Sequence, residues 1–422
     1  MTADAPPRPR TAPTRTVTPP GGTPEVREPS FLGTWNSAVT SYYVLLGSTF
    51  LLVAIGLVMV LSSSSVESLA AGDSPYAVFL NQARYALIGL PVLLLMSRLP
   101  VRAVRALAWP ALGGAIAFQM LVFTPLGCGE GGNLNWVCLP GFSAQPSEVV
   151  KLALAIWLGA LLTRKLPLLH EWKHALVPVV PVAGIAIGVV LLGHDLGTAM
   201  VMVLLVAGAM FVAGVPLRIF GFAALLAAGG VAALTLGSRN RVNRIMSWLS
   251  DECDKTNECY QSLHAGYGLA TGGVSGVGLG QSAEKWSYLP AAHNDFIYAI
   301  LGEELGLVGT LLVLGLFALL AFAMVRIMRR HPDPFVKITT AAVFAWVVGQ
   351  AAVNIAVVIG LAPVIGVPLP LVSAGGSALI MTMAALGLVL SFARTEPGAA
   401  EALAARASVV RRSLAVIGRT RG

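Results

Sequence analysis

Long apolar segments recur along the chain, separated by shorter polar ones. A helix needs roughly 20 apolar residues to cross the hydrocarbon core of a membrane. We predict ten transmembrane helices from this pattern, at 42–62, 79–97, 104–125, 147–163, 175–193, 197–214, 218–236, 295–325, 338–361 and 375–394. The predicted fold is therefore an all-α polytopic membrane protein.

The ends of the chain differ from this apolar region. Residues 1–41 are rich in Pro, Thr and Arg and lack apolar periodicity, which is typical of a disordered tail. We divide the chain into this N-terminal tail, a transmembrane domain at 42–395 and a C-terminal tail at 396–422. A signal peptide is not expected, because the first apolar run starts late and no small-residue cleavage pattern follows it.

Charge determines the expected orientation. The 422 residues are 11% charged and carry a net charge of +8, whereas soluble domains are about 25% charged. Basic residues gather in alternate loops, as at 326–337, and the loops at 63–78, 126–146 and 362–374 contain neither Lys nor Arg. This asymmetry orients membrane proteins. It places both termini in the cytoplasm and a large loop, 237–294, outside, and it explains the positive charge without a nucleic-acid partner.

The large outer loop is basic, contrary to that rule. Its cations are Arg239, Arg241, Arg244, Lys255 and Lys285. Long loops escape the charge rule, so these side chains are either simply solvated or bind an anionic ligand such as a phosphate.

All four cysteines fall in predicted outer loops, as the pairs Cys128 and Cys138, and Cys253 and Cys259. That compartment is oxidising. We predict two local disulfides, although four cysteines allow three connectivities. No metal site is predicted, because no spacing matches a zinc signature with nearby histidines.

Three carboxylates lie where a polar loop runs into the eighth apolar segment. Asp295 is at the junction, and Glu303 and Glu304 lie inside the apolar run. Ionisable groups within a span are costly and indicate functional sites. Asp295 either complements the helix dipole or acts as a general base, tuned by partial burial and by a cation such as Lys285.

Helical geometry separates the two glutamates. Glu303 lies about 80° round the helix from Asp295, so it could line the same cavity, whereas Glu304 lies about 180° away. We expect Glu304 to pair with another helix. Glu148 and Lys151, spaced i,i+3 at the start of the fourth span, can pair on one face. That spacing favours a structural pair over one that holds a substrate headgroup.

Two further features belong to the last spans. Gln350 and Asn354, spaced i,i+4, can bond across helices. The Gly- and Pro-rich stretch 366–377 predicts irregular backbone, which membranes tolerate only where it is packed in protein or lines a cavity. No Walker loop or nucleophile elbow is present, which argues against a nucleotide-driven pump.

Several motifs, which follow one another between about residues 42 and 395, resemble those of the SEDS family (shape, elongation, division, sporulation). Within that family, the first span and the tails are most like the division members. The motifs are Gly56–Ser63, Gln145-Pro146-Ser147-Glu148 with Lys151, His194–Thr198, Gly276–Ser282, Lys285, Leu289-Pro290, His293 with Asp295-Phe296-Ile297, Gly302–Gly306 and Leu369-Pro370 with Ser373 and Gly375-Gly376-Ser377. The chain departs from the family pattern at Asn135, where Arg is usual, and at Ala374, where Tyr is usual.

The resemblance implies a peptidoglycan glycosyltransferase of the bacterial cytoplasmic membrane that polymerises lipid II at the division septum. The implied partners are membrane lipid, a class B penicillin-binding protein (the transpeptidase) and other divisome proteins. The family's essential Asp falls on Asp295, its loop Trp on Trp136 and its Arg on Arg244.

This expected chemistry assigns roles to particular residues. Asp295 would be the base for the acceptor hydroxyl, and Lys285, Arg244 and Arg241 would stabilise the departing pyrophosphate. The other expected substrate-binding residues are Trp136, Glu148, Lys151, His293 and Glu303. No cofactor is required by the pattern, although Mg²⁺ or Mn²⁺ could assist. The alternatives are a flippase for the same lipid and a divisome scaffold that acts through the tails.

Overall fold

The computed structural model describes residues 39–129, 133–139, 142–236, 259–286 and 288–404. Its α-helices are α1 (Thr40–Ala70), α2 (Ala77–Met96), α3 (Val101–Ala106), α4 (Ala108–Met120), α5 (Pro146–Lys165), α6 (Trp172–Leu176), α7 (Val179–Leu192), α8 (Leu196–Val212), α9 (Leu217–Leu236), α10 (Tyr260–Gly272), α11 (Ile297–Arg330), α12 (Pro334–Val358) and α13 (Gly376–Arg394). Short 3₁₀ turns follow α4 and α5, at Leu121–Phe123 and Leu166–Leu168.

The all-α membrane architecture is confirmed, and each of the ten predicted spans coincides with one or two of these helices. Within the described ranges, six helices are long and apolar enough to cross a membrane: Thr40–Ala70, Ala77–Met96, Trp172–Leu192, Ile297–Arg330, Pro334–Val358 and Gly376–Arg394. Two shorter apolar helices are Ala108–Phe123 and Leu196–Val212. The count of ten spans and the orientation of the loops stay predictions.

Two elements inside predicted loops were not anticipated. The loop 126–146 contains a small antiparallel sheet of β1 (Gly127–Cys128), β2 (Trp136–Leu139) and β3 (Phe142–Ala144), in the order β1-β2-β3. The large loop contains α10. The predicted N-terminal tail lies outside the described residues, except that α1 already begins at Thr40.

Helix α5 lies in the interior of the bundle. Most of its residues are buried, including Trp157 at 0% exposure. In contrast, α2 exposes large apolar side chains such as Leu87 and Leu95. This distribution fits a membrane protein, because lipid is as apolar as Leu and backbone polar groups are satisfied within each helix. The central position of α5 takes Glu148 and Lys151 into the protein.

The two ends of the bundle are held by different polar contacts. At the end predicted to be cytoplasmic, Arg105 Nη2 lies 2.7 Å from Asp333 Oδ1. The Ser391 hydroxyl donates to Leu99 O at 2.7 Å, and Arg394 donates to Ser97 O at 3.2 Å. The opposite end, called the outer end below, gathers most of the residues singled out above.

Glu396, just beyond α13, is buried at the cytoplasmic end. Burial raises the pKa of its carboxyl, and the hydroxyl of Ser41 and the charges of Arg326 and Arg330 offset this only in part. The folded state therefore binds a proton more readily than the unfolded chain, so this group stabilises the fold at low pH and loses that stability as pH rises.

We expect Glu396→Gln to unfold at a higher temperature than the wild type at pH 7, because the amide removes the cost of a buried charge. The difference should shrink as pH falls and the wild-type carboxyl takes up its proton. Thermal unfolding in detergent at several pH values measures this. A variant less stable than the wild type at pH 7 would show that the arginines hold the charged form.

Candidate functional site

Asp295 lies in a tight turn immediately before α11. The amides of Asn294 and Phe296 both donate to Ala291 O, at 3.0 and 3.3 Å. Ala291 adopts a positive φ of 54°, a conformation that costs on the order of 1–3 kcal/mol and persists only where surrounding contacts enforce it.

Those enforcing contacts come from the neighbouring elements. The three consecutive carbonyls of residues 293–295 each accept a hydrogen bond. The donors are, in order, Ala374 N at 2.9 Å, Ser373 Oγ at 2.6 Å and Asn354 Nδ2 at 2.7 Å. The backbone that carries Asp295 is therefore held rigidly against α12 and the segment that precedes α13.

The irregular backbone predicted before the tenth span is present at 359–375. Gln350 Nε2 donates to Pro368 O and Asn354 Nδ2 donates to Val367 O, each at 2.8 Å. Both amides thus bond the non-helical segment, whose carbonyls lack helical partners. Gln350 also bonds another helix, as predicted, because its Oε1 accepts from Lys151 of α5. The segment lies beside the half-buried Asp295, because a Cβ on Gly366 would lie 3.6 Å from Asp295 Oδ2.

Glu148 and Lys151 form a buried ion pair in α5. Lys151 Nζ lies 2.8 Å from Glu148 Oε1, and the two side chains are 2% and 4% exposed. Lys151 Nζ also donates to Gln350 Oε1 at 3.3 Å and lies 4.8 Å from the centre of the Trp346 ring. The pair is thus connected through Gln350 to the irregular segment.

Two buried oxygens near the Glu148–Lys151 pair and the irregular segment have no hydrogen bond within the described residues. They are Glu148 Oε2 and Asn354 Oδ1. Buried acceptors are normally satisfied, so these two atoms are suited to receive a polar group such as a water or a substrate hydroxyl.

The turn before α8 joins the same region. Asp195 caps α8 by accepting from Thr198 N at 2.9 Å, and its second oxygen accepts from Gln145 Nε2 at 3.1 Å. Gln145 N donates to Ser377 Oγ at 3.0 Å. Three motifs that are distant in sequence therefore meet at the outer end.

Trp136 belongs to the small sheet, in strand β2. It is half-buried and pairs with Cys128 across β1 and β2. Leu134 N donates to Gly193 O at 3.0 Å, which packs the hairpin against the turn before α8. The predicted Cys128–Cys138 disulfide is confirmed, so this hairpin is covalently closed.

The second predicted disulfide is described only in part. Cys259 is disulfide-bonded, and Cys253 lies outside the described residues, as do Arg241 and Arg244. We expect mass spectrometry of alkylated protein, prepared without reductant, to find no free thiol and to recover a Cys253–Cys259 peptide. A labelled Cys253, or a Cys253 linked to another cysteine, would contradict this pairing.

Lys285 belongs to a second, buried cluster. Its Nζ donates to Gly280 O at 2.6 Å, to Glu304 Oε1 at 3.3 Å and to Ser62 Oγ at 3.4 Å, and its side chain is 4% exposed. Ser62 of α1 donates to Glu304 at 2.6 Å, so Glu304 pairs with another helix, as expected. The charge of Lys285 is therefore engaged within the protein.

Glu303 lies in this second cluster as well. One oxygen accepts from Ala283 N at 2.8 Å and the other accepts from Ser282 Oγ. Glu303 thus fastens the loop before Lys285 onto α11. Its contacts are with this loop, whereas Asp295 contacts the irregular segment.

Sequence reasoning missed two residues of the site. Gln82 of α2 donates to Ser373 O and accepts from Gly375 N, both at 3.1 Å. Glu67, near the end of α1, places Oε2 at 2.9 Å from His293 Nδ1. Polar residues at the ends of apolar spans are the signal that could have identified both.

Comparison with known proteins places this arrangement in a family. The family model described as "Cell cycle protein" (FtsW, RodA, SpoVE) matches residues 43–397. A relative in Mycobacterium tuberculosis (strain ATCC 25618 / H37Rv), named "Probable peptidoglycan glycosyltransferase FtsW", is 40% identical over 399 residues, covering 94% of this chain and 75% of the relative. "Stage V sporulation protein E" of Bacillus subtilis (strain 168) is 34% identical over 349 residues, covering 82% of this chain and 95% of the relative.

Solved structures agree with this relationship. A chain of a structure titled "Structural coordination of polymerization and crosslinking by a peptidoglycan synthase complex" has a TM-score of 0.67 at 28% identity, covering 83% of this chain and 96% of that chain. The rod shape determining protein RodA of Thermus thermophilus has a TM-score of 0.63 at 27% identity, covering 84% of this chain and 97% of that chain. The chain is therefore a multi-pass membrane protein that belongs to the SEDS family of FtsW, RodA and SpoVE.

Proposed function

We propose that this protein is a peptidoglycan glycosyltransferase that polymerises lipid II during septal cell-wall synthesis. The observation that carries the proposal is a half-buried carboxylate, Asp295, in a strained turn with three consecutive carbonyls hydrogen-bonded from outside the turn. The named FtsW relatives support the activity and the role in division. The proposed location is the bacterial cytoplasmic membrane at the septum.

The reaction joins the C4 hydroxyl of one sugar to the anomeric carbon of another. As the new C–O bond forms, the hydroxyl proton passes to the Asp295 carboxylate, and the anomeric C–O bond breaks with its electron pair going to the pyrophosphate. A positioned base contributes about 10²–10⁴-fold to such a step. The fixed turn supports this role, because reacting groups must be held within about 1 Å of the productive geometry.

The leaving pyrophosphate needs positive charge near it. The contacts of Lys285 with Glu304, Ser62 and Gly280 favour a supporting role for this lysine. We therefore propose Arg244 and Arg241 as the side chains that face the pyrophosphate. Lys285 would act by holding their loop on α11.

Substrate contacts are proposed for the groups around the irregular segment. The unpaired Glu148 Oε2 is suited to accept from a sugar or amide group of lipid II, and Lys151 holds that carboxylate in place. Trp136, a half-buried residue of the hairpin that packs against the turn before α8, is proposed as a further substrate contact. The isoprenoid tail would stay in lipid between the helices.

The described side chains do not form a site that would hold a catalytic metal ion. Across those ranges, no group of three or more His, Cys, Asp or Glu residues could hold a metal ion. We propose that any effect of Mg²⁺ or Mn²⁺ arises from binding to the pyrophosphate.

A class B penicillin-binding protein is the proposed partner. A structure similar to this chain comes from a complex whose title couples polymerisation with crosslinking. Other divisome proteins are proposed partners for the cytoplasmic tails. A scaffold role of this kind is compatible with catalysis.

A lipid II flippase is the alternative activity. It needs a polar path across the whole membrane, whereas the buried pairs Glu148–Lys151 and Lys285–Glu304 both lie at the outer end. This distribution favours the enzyme.

Incubation of the purified protein with lipid II, with and without the transpeptidase, tests the proposal. We expect glycan strands, resolved by electrophoresis, in at least the sample with the partner. Lipid II moved across liposome membranes without any polymer would instead support the flippase.

A further inference from the structure

The outer end of α1 contacts both α11 and the loop before it, at two positions along the α1 axis. Ser62 bonds Glu304 and Lys285 of the buried cluster, and Glu67 approaches His293 of the turn. The two α1 residues are five positions apart, which is about 7.5 Å along a helix axis. Helix α1 therefore supports both the Lys285 cluster and the Asp295 turn.

The contact between Glu67 and His293 adds a further element, α1, to those that touch this turn. The hydrogen bonds to the carbonyls of residues 293–295 come from α12 and from the segment before α13. Glu67 approaches from a third element, α1, and His293 is two residues before Asp295. Removing Glu67 would remove this contact between α1 and the turn.

The geometry of this pair differs from that of a buried ion pair. Glu67 Oε2 and His293 Nδ1 are 2.9 Å apart, and their side chains are 61% and 24% exposed. His293 Nδ1 makes no hydrogen bond of good angle within the described residues, so the two groups are in close polar contact without alignment. Exposed pairs of this kind add only about 0–1 kcal/mol to stability.

We propose that Glu67 is a positioning residue of the glycosyltransferase site, acting through His293 on the turn that carries Asp295. This inference rests on the proposed function. Glu67 is a suitable position for a mutational test because it is exposed. Substitutions at exposed positions usually change the free energy of unfolding by no more than about 0.5 kcal/mol. A large effect on rate would then reflect the site and not the fold.

The experiment compares Glu67→Gln with Asp73→Asn. Asp73 is an exposed carboxylate in the same outer segment, so it controls for the loss of one negative charge. Steady-state polymerisation of lipid II is measured with the partner transpeptidase present. We expect Glu67→Gln to lower kcat about 10- to 100-fold, the effect of a displacement of about 1 Å, with KM within twofold and an unchanged melting temperature. Asp73→Asn should behave as the wild type.

The route through His293 is tested by a double-mutant cycle. His293→Ala should lower kcat, and adding Glu67→Gln to it should cause no further loss, since residues that act as a unit are not additive. Glu67→Asp should keep more activity than Glu67→Gln, because it retains the charge.

Three results would overturn the inference. They are a normal kcat in Glu67→Gln, a raised KM with unchanged kcat, and a loss that adds in full to that of His293→Ala. A wild-type protein that makes no polymer would overturn the proposed function, and this role with it. A wild type that polymerises normally beside a fully active Glu67→Gln would overturn only the role of Glu67.

Discussion

Asp295→Asn should lower lipid II polymerisation by about 10²–10⁴-fold, the usual effect of removing a general base. The amide is close to the carboxylate in size and leaves the backbone bonds of the turn intact. Membrane insertion and melting temperature should therefore stay at wild-type values. The rate is measured on purified protein with its transpeptidase partner, by electrophoresis of labelled glycan.

The matched control is Asp195→Asn, which also replaces a carboxylate at the outer end. Asp195 caps α8 and accepts from Gln145, and an amide oxygen can still accept one of these bonds. We expect this control to lose far less activity than Asp295→Asn. Glycan synthesis by Asp295→Asn at a near-normal rate would remove Asp295 from the base role.

Lys285→Ala should reduce both stability and activity. It leaves the carboxylate of Glu304 buried without its cation, and breaking a buried ion pair from one side costs about 3–5 kcal/mol. The Ser62 hydroxyl would remain as a neutral donor, which cannot replace the charge. The melting temperature and the polymerisation rate should therefore both decrease.

The double variant Lys285→Met with Glu304→Gln separates two explanations of that loss. It removes both charges and keeps the volumes similar, a change that is often neutral for a buried pair. If Lys285 only supports the loop, the double variant should recover stability and most of its activity. A stable but inactive double variant would instead show that Lys285 contacts the pyrophosphate directly.

The sequence motif around Asp295 predicted a polar site at the junction of loop and helix, and its partners came only from the structure. Glu304 was expected to bond another helix, and it does. Its partner Ser62 is 242 residues away in the sequence, so no spacing rule could have identified it. The roles of Lys285 and Glu303 depend on how the loop 276–285 packs on α11. Helical periodicity alone suggested that Glu303 could line the same cavity as Asp295, and it gave no sign of the contact with this loop.

By itself, the sequence predicted the all-α membrane class, the approximate positions of the described apolar helices and the disulfide between Cys128 and Cys138. These features depend on local composition: about 20 apolar residues satisfy the membrane core, and two cysteines near each other in an oxidising loop can pair. Only the tertiary structure decided which polar groups meet at the outer end. Gln350 and Asn354 bond the irregular segment and Glu67 reaches His293, because helix packing brings distant residues together and buried polar groups then bond the partners within reach.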